Sequence, residues 1–171
     1  MNAVTNKIST ETAHVFKHQA LNEQQAAEIL KTAQDYAVAH DLAYSGALPP
    51  QAAWALAEAG FATLVDIRTN EERKFVGYVA DIPHVAWATG TAFNRNPRFV
   101  RELEAKVKKD QIVLLLCRSG NRSALAAEAA FKAGFTQVYN VLEGFEGDLD
   151  DDQRRGQANG WRFHGLPWQQ D

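Results

Sequence analysis

Ile112-Val113-Leu114-Leu115-Leu116-Cys117-Arg118-Ser119-Gly120-Asn121-Arg122-Ser123 passes from the most apolar run of the chain directly into a polar loop. The aliphatic run is flanked by polar residues and is too short for a helix that stands alone, so it reads as a central strand buried on both faces. Ser123 to Ala133 carries a helical pattern that stops at Gly134, and Val138 to Leu142 reads as the last strand. Upstream, Asn96-Pro97 opens a helix whose buried face is Phe99, Val100, Leu103 and Val107. Ile82 to Trp87 is a buried run that Pro83 keeps short or bulged, and Phe61 to Ile67 is another buried strand. Pro49-Pro50 opens a helix that runs to Glu58 and is stopped by Gly60. A longer helix spans Leu21 to about His40, where Asn22 and Gln25 resemble a capping box; Tyr44-Ser45-Gly46 breaks its pattern. Alternating strands and helices predict an open α/β fold, with a mainly parallel sheet flanked by helices on both faces. The expected division is an N-terminal helical extension over 1–45 and a single α/β domain over 46–171.

A chain of 171 residues is long enough to bury a core without disulfide or metal support. Its 18 Lys+Arg against 21 Asp+Glu give a net charge of -3, which leaves no bulk footprint for nucleic acid or an anionic membrane. No apolar run approaches the roughly 20 residues of a membrane span, and Met1 to Lys7 lacks the apolar core of a secretory signal. A cytoplasmic protein is expected.

Cys117 is the only cysteine. That excludes an internal disulfide, a Cys-x-x-Cys redox pair and any multi-cysteine metal site. By itself an isolated cysteine in an apolar setting is a small hydrophobe. Its position decides otherwise, because ligands of open α/β folds sit beyond the carboxyl ends of the strands, where this cysteine lies. The loop from Cys117 to Ser123 lets backbone N–H groups converge on whatever the cysteine holds. Gly120 permits the turn, and the following helix and two arginines add positive potential. These surroundings favour thiolate, the nucleophilic form.

The loop, together with Leu64-Val65-Asp66-Ile67-Arg68, Glu71-Glu72, Gly77-Tyr78-Val79 and Val141-Leu142-Glu143-Gly144-Phe145, resembles the single-domain rhodaneses, a sulfurtransferase family. The similarity runs from about Leu48 to Trp168. It implies that Cys117 is the persulfide-forming nucleophile and that the backbone of Arg118, Ser119, Gly120, Asn121, Arg122 and Ser123 cradles the transferred sulfur. It further implies that Arg118 and Arg122 bind an anionic donor and that Asp66 and Arg68 brace the site from behind. Where the family commonly continues Gly-His-Ile-Pro-Gly, this chain has Gly77-Tyr78-Val79-Ala80-Asp81. The first forty residues lie outside the family core, and the sequence leaves open whether they cover the sheet or form a homodimer contact.

The expected activity moves sulfane sulfur from thiosulfate or a similar small donor to a thiol or cyanide, with no cofactor and no metal. Two alternatives differ in class. A phosphatase or arsenate reductase carries Cys-x5-Arg, whereas Arg122 stands five positions after Cys117, which leaves the loop one residue short for a tetrahedral oxyanion. A binding or regulatory module would keep the fold and use the site weakly. His14 and His18 share a helical spacing but lack a third ligand nearby and read as a solvated face. His84 and His164 are set aside, because sulfur transfer between good leaving groups needs little acid–base help. Trp87, Trp161 and Trp168 read as packing residues, the acidic Asp148–Asp152 run as a solvated turn, and the tail from Gly160 to Trp168 as a wrap around the sheet.

Overall fold

The structure, a computed structural model, describes residues 20–171. His14 and His18 lie outside the described residues. In chain order the elements are α1 (Glu23–Ala39), β1 (Gly46–Leu48), α2 (Pro50–Glu58), β2 (Thr63–Asp66), α3 (Asn70–Val76), β3 (Ala88–Thr89), β4 (Asn94–Arg95), α4 (Phe99–Glu104), β5 (Ile112–Leu116), α5 (Asn121–Lys132) and β6 (Gln137–Val141). The strands β1, β6, β5 and β2 pair in that order in a four-stranded sheet, every pair parallel. β5, the aliphatic run, is held between β6 and β2, with Leu114 opposite both Leu64 and Tyr139.

Side chains of a strand alternate between faces, and β5 divides the core accordingly. Val113, Leu115 and Cys117 join Phe99 and Leu103 of α4 and Ala126, Ala127 and Ala130 of α5. Leu114 and Leu116 join Ala26 and Ala33 of α1, Ala53 and Leu56 of α2, and Trp161 of the C-terminal segment. The cysteine therefore continues the pleat of β5 onto the side covered by α5. Helices cover both faces, as the unbroken apolar strands require.

α1 begins with the capping box read from the sequence: the Asn22 side chain accepts from the Gln25 N–H, and the Gln25 side chain accepts from the Asn22 N–H. Its buried stripe, Ala26, Ala33 and Ala37, faces the sheet, and Gln34 donates to the Tyr139 hydroxyl of β6. This helix is a cover for the sheet.

Four features depart from the elements expected. β1 forms where only a break was expected: it starts at Gly46 and pairs with β6 from Tyr139 to Val141. Thr69 and Glu72 make a capping box that starts α3, and β3 and β4 form a short antiparallel hairpin. The Ile82–Trp87 run builds no full strand. It pairs with the end of β2 through Asp66 N–H to Pro83 O, Val85 N–H to Asp66 O and Trp87 N–H to Ile67 O. Pro83 contributes the carbonyl, the one backbone bonding group it keeps.

The C-terminal segment lies along the molecule. Tyr78 and Gln169 exchange both backbone hydrogen bonds at 2.9 Å, and Trp161 is fully buried with its indole N–H donated to Pro167 O. Gly77-Tyr78-Val79, where the chain departs from the family's turn, thus anchors the tail. Trp161→Ala is expected to lower stability by about 3–5 kcal/mol through the cavity left in the core. Urea denaturation measures it; a loss below 1 kcal/mol would mean that the tail is not part of the core.

Candidate active site

The sulfur of Cys117 stands where β5 ends and α5 begins, and the residue is 1% exposed. α5 starts without a side-chain cap, at Gly120 in the left-handed conformation (φ 94°, ψ -11°). The first N–H groups of a helix need acceptors from outside it. Here Cys117 Sγ takes that place: it accepts from the N–H of Gly120 at 3.1 Å and from the N–H of Ser123 at 3.3 Å. The Ser123 hydroxyl lies 3.1 Å from the same sulfur. Gly120 supplies the positive φ that turns the chain so that its own N–H points back at the sulfur.

The loop is fixed from outside as well. Phe145 N–H donates to Cys117 O at 2.8 Å and Glu146 N–H to Arg118 O at 2.9 Å, so the chain after β6 clamps the first residues of the loop. Gly144 makes this approach possible: a Cβ there would stand 2.4 Å from the Arg118 carbonyl carbon.

Behind the loop, the fully buried Asp66 and Arg68 form a two-bond fork, Nε to Oδ1 at 3.0 Å and Nη2 to Oδ2 at 2.8 Å. Arg68 also donates to Gly77 O and lies 3.9 Å over the Phe145 ring. A buried ion pair of this geometry orients elements more than it stabilises them. It ties the end of β2 to the segment that follows α3 and to the residue that clamps the cysteine.

The two loop arginines differ. Arg122 is held by Glu72 in a second fork, with bonds of 2.9 and 2.6 Å, so much of its charge is answered within the protein. Burial would raise the Glu72 carboxyl, but the bonds from Arg122 and the N–H of Thr69 outweigh it and hold it below the ordinary carboxylate value. Burial would likewise lower the Arg122 guanidinium; the bonds and charge of Glu72, with smaller contributions from Cys117 and Asp66, hold it above its ordinary value. Arg118 has no carboxylate partner among the described residues, and its buried Nε has no hydrogen-bond partner. Both guanidinium groups lean on Phe93, at the tip of the β3–β4 hairpin, at 5.6 Å for Arg118 and 4.8 Å for Arg122.

Of the residues singled out in the sequence, Cys117, Gly120 and Ser123 meet at the sulfur, and Asp66 and Arg68 lie behind the loop. Ser119 is half-buried and Asn121 exposed, and neither they nor Arg118 and Arg122 bring an N–H to the sulfur in this structure. His84 bonds the Arg68 carbonyl at 2.6 Å, and His164 bonds Glu143 and Gln51, so neither faces the sulfur. The acidic run folds on itself, with Asp150 Oδ1 accepting from the N–H groups of Asp152 and Arg154.

Sequence reasoning missed Glu72 as the partner of Arg122, Phe93 at the loop arginines, and Asn140. The last had a signal: an amide in the apolar run Val138–Leu142 must find partners if it is buried. Asn140 is 4% exposed and bonds both Ser123 and Gly120.

A family model described as a rhodanese-like domain matches residues 49–150, from the start of α2 to the turn beyond β6, and so takes in the whole sulfur site. The chain belongs to the rhodanese-like domain family. Among relatives, the protein RP600 of Rickettsia prowazekii is 37% identical over 115 residues, 63% of this chain and 83% of that protein. The crystal structure of Rv0390 from M. tuberculosis is 44% identical with a TM-score of 0.67, covering 75% of this chain and 99% of that one. The polysulfide-sulfur transferase homodimer of Wolinella succinogenes shares the fold at 23% identity, with a TM-score of 0.52 over 86% of this chain and 88% of that one. No helix among the described residues is long and apolar enough to cross a membrane. The rhodanese-like match begins after α1, which packs on the sheet beside it.

The Glu72–Arg122 fork makes stability depend on pH. A carboxyl held low in the folded state contributes stability that is present above the unfolded value of about 4.3 and lost as pH falls through the folded value. Wild type is expected to lose stability below about pH 4.3, and Glu72→Gln to be less stable at neutral pH with a shallower acid dependence. Denaturation midpoints from pH 3 to pH 7 check this; parallel curves for the two proteins would contradict it.

Proposed function

We propose that this protein is a sulfurtransferase in which Cys117 carries sulfane sulfur, as a persulfide, from thiosulfate or a similar donor to a thiol or cyanide. One observation carries the reading: a single buried sulfur, at the carboxyl end of the central strand, accepts the N–H groups of Gly120 and Ser123 at the start of α5. Preformed donors of this kind favour an anionic sulfur without further rearrangement.

The reaction balances with these parts. The Cys117 thiolate attacks the outer sulfur of thiosulfate, the S–S bond of the donor breaks, and sulfite leaves with the electron pair. An acceptor thiolate or cyanide then attacks the outer sulfur of the Cys117 persulfide, and the Cys117 thiolate returns as leaving group. No other cysteine is present, so the second step belongs to an external acceptor. Arg118, on the loop and without a carboxylate partner among the described residues, is suited to hold the anionic donor. Arg122, held by Glu72, shapes the loop more than it offers free charge.

Phosphoryl transfer is disfavoured by the same geometry. The loop has four residues between Cys117 and Arg122, and that arginine is committed to Glu72. A phosphoryl group needs several charged contacts at once.

Thiosulfate is expected to add one sulfur atom to the intact protein, removable by dithiothreitol and absent in Cys117→Ser, as read by intact-mass spectrometry. A gain that persists in the variant, or no gain on wild type, would remove the main support for sulfur transfer. Arg118→Ala is expected to weaken thiosulfate use by roughly tenfold to a hundredfold, the size of a lost charge-assisted hydrogen bond. Steady-state kinetics with cyanide as acceptor measures it, and an unchanged kcat/KM would place the donor elsewhere. An aryl phosphate assay on the same preparation is expected to show negligible turnover; ester hydrolysis exceeding sulfur transfer would favour the phosphatase reading.

A further inference from the structure

Asn140 lies in β6 between Tyr139 and Val141, both fully buried, in a strand whose packing asks for no amide. Its partners account for it. Nδ2 donates to the Gly120 carbonyl at 3.1 Å, and Oδ1 stands 2.5 Å from the Ser123 hydroxyl. A carbonyl oxygen can only accept, so the amide NH2 faces Gly120 and the amide oxygen faces Ser123. An amide oxygen can only accept as well, so the Ser123 hydroxyl donates to it.

A hydroxyl has one proton. With that proton given to Asn140, Ser123 presents a lone pair to Cys117 Sγ, 3.1 Å away, and the S–H of the resting thiol donates to it. An anionic sulfur would meet the same lone pair unfavourably. It is accommodated once the hydroxyl turns away from Asn140 and donates to sulfur, adding a third donor to the N–H groups of Gly120 and Ser123.

We infer that Asn140 is a positioning residue of the sulfur site that sets the direction of the Ser123 hydroxyl: the hydroxyl accepts from the neutral thiol while bonded to Asn140, and turns to donate when the sulfur is anionic. The inference deepens the sulfur-transfer reading and rests on it only for the persulfide state. The charged groups around the loop are Arg118 and Arg122 on it, Glu72 on α3 paired to Arg122, and the Asp66–Arg68 pair behind it. None of them takes part in this chain of hydrogen bonds. Tyr44 packs against the same core; burial pushes its phenol up, and the Asn140 side chain opposes the shift.

The consequence has a sign that a bracing role would not produce. Removing the Asn140 acceptor frees the hydroxyl to donate to sulfur, so the thiol should react faster; removing the hydroxyl should slow it. The test is the rate of Cys117 alkylation by iodoacetamide at pH 7 in wild type, Asn140→Val, Ser123→Ala and the double variant, with circular dichroism as the check on folding. Valine suits a central strand, and Asn140→Ala carries the same comparison if the valine variant does not fold. Asn140→Val is expected to react about fivefold faster than wild type and Ser123→Ala about fivefold slower, within the range of one ordinary hydrogen bond. In the Ser123→Ala background the Asn140 substitution is expected to change the rate less than about twofold, and Ser123→Thr to stay close to wild type. Slower alkylation on losing Asn140, or an equal change in both backgrounds, would overturn the inference and leave the amide a brace for the loop. Alkylation does not require persulfide chemistry, so the expected pattern in a protein that thiosulfate fails to load would support the hydroxyl's role and count against sulfur transfer alone.

Discussion

The end of one strand and the start of the next helix meet at a single atom, the sulfur of Cys117, and the arrangement of the site follows from that junction. A helix start needs acceptors for its first N–H groups, and side-chain oxygens usually supply them. In this chain a thiol does so, which places the sulfur inside the turn and aims the donors of Gly120 and Ser123 at it. The same two contacts that complete the fold locally are the ones that would stabilise a sulfur anion. Local structure and chemistry are therefore one constraint, and a substitution that repairs one without the other is hard to find among ordinary residues.

The surrounding elements hold this junction from three sides. Phe145 and Glu146 clamp the backbone of Cys117 and Arg118, which Gly144 permits by approaching without a side chain. The buried Asp66–Arg68 fork joins β2 to Gly77 and to the Phe145 ring, so the clamp and the sheet edge move together. Glu72 holds Arg122 on the remaining side. Each of these pairs costs desolvation, and what it supplies is position. The tail contributes through Trp161, whose backbone N–H donates to the Gly144 carbonyl and whose ring fills the opposite face of the sheet.

The parts of this arrangement that the sequence displays are those governed by local patterns. The aliphatic run of β5, the capping box at Asn22, the proline-opened α2 and the glycine stop after α5 are read from periodicity and capping alone. The cysteine loop is legible because it follows the most apolar strand and combines a glycine with two arginines. What escaped is set by distant partners. β1 is three residues long and gains its strand character from β6. The pairing of Arg122 with Glu72 spans fifty positions, although the Thr69–Glu72 spacing itself signals the capping box that starts α3. Asn140 differs: its polarity within an apolar strand is visible, but its meaning depends on Ser123 and Gly120 arriving beside it.

The central claim is that the N–H groups of Gly120 and Ser123 form the anion site for the sulfur on Cys117. Backbone amide resonances, followed by two-dimensional NMR while thiosulfate loads the protein and cyanide unloads it, test this most directly. The account predicts that the Gly120 and Ser123 amides shift on loading, by more than the amides of the outer helices, and return on unloading. Loading with those two amides unmoved, or with the largest shifts away from the loop, would contradict it.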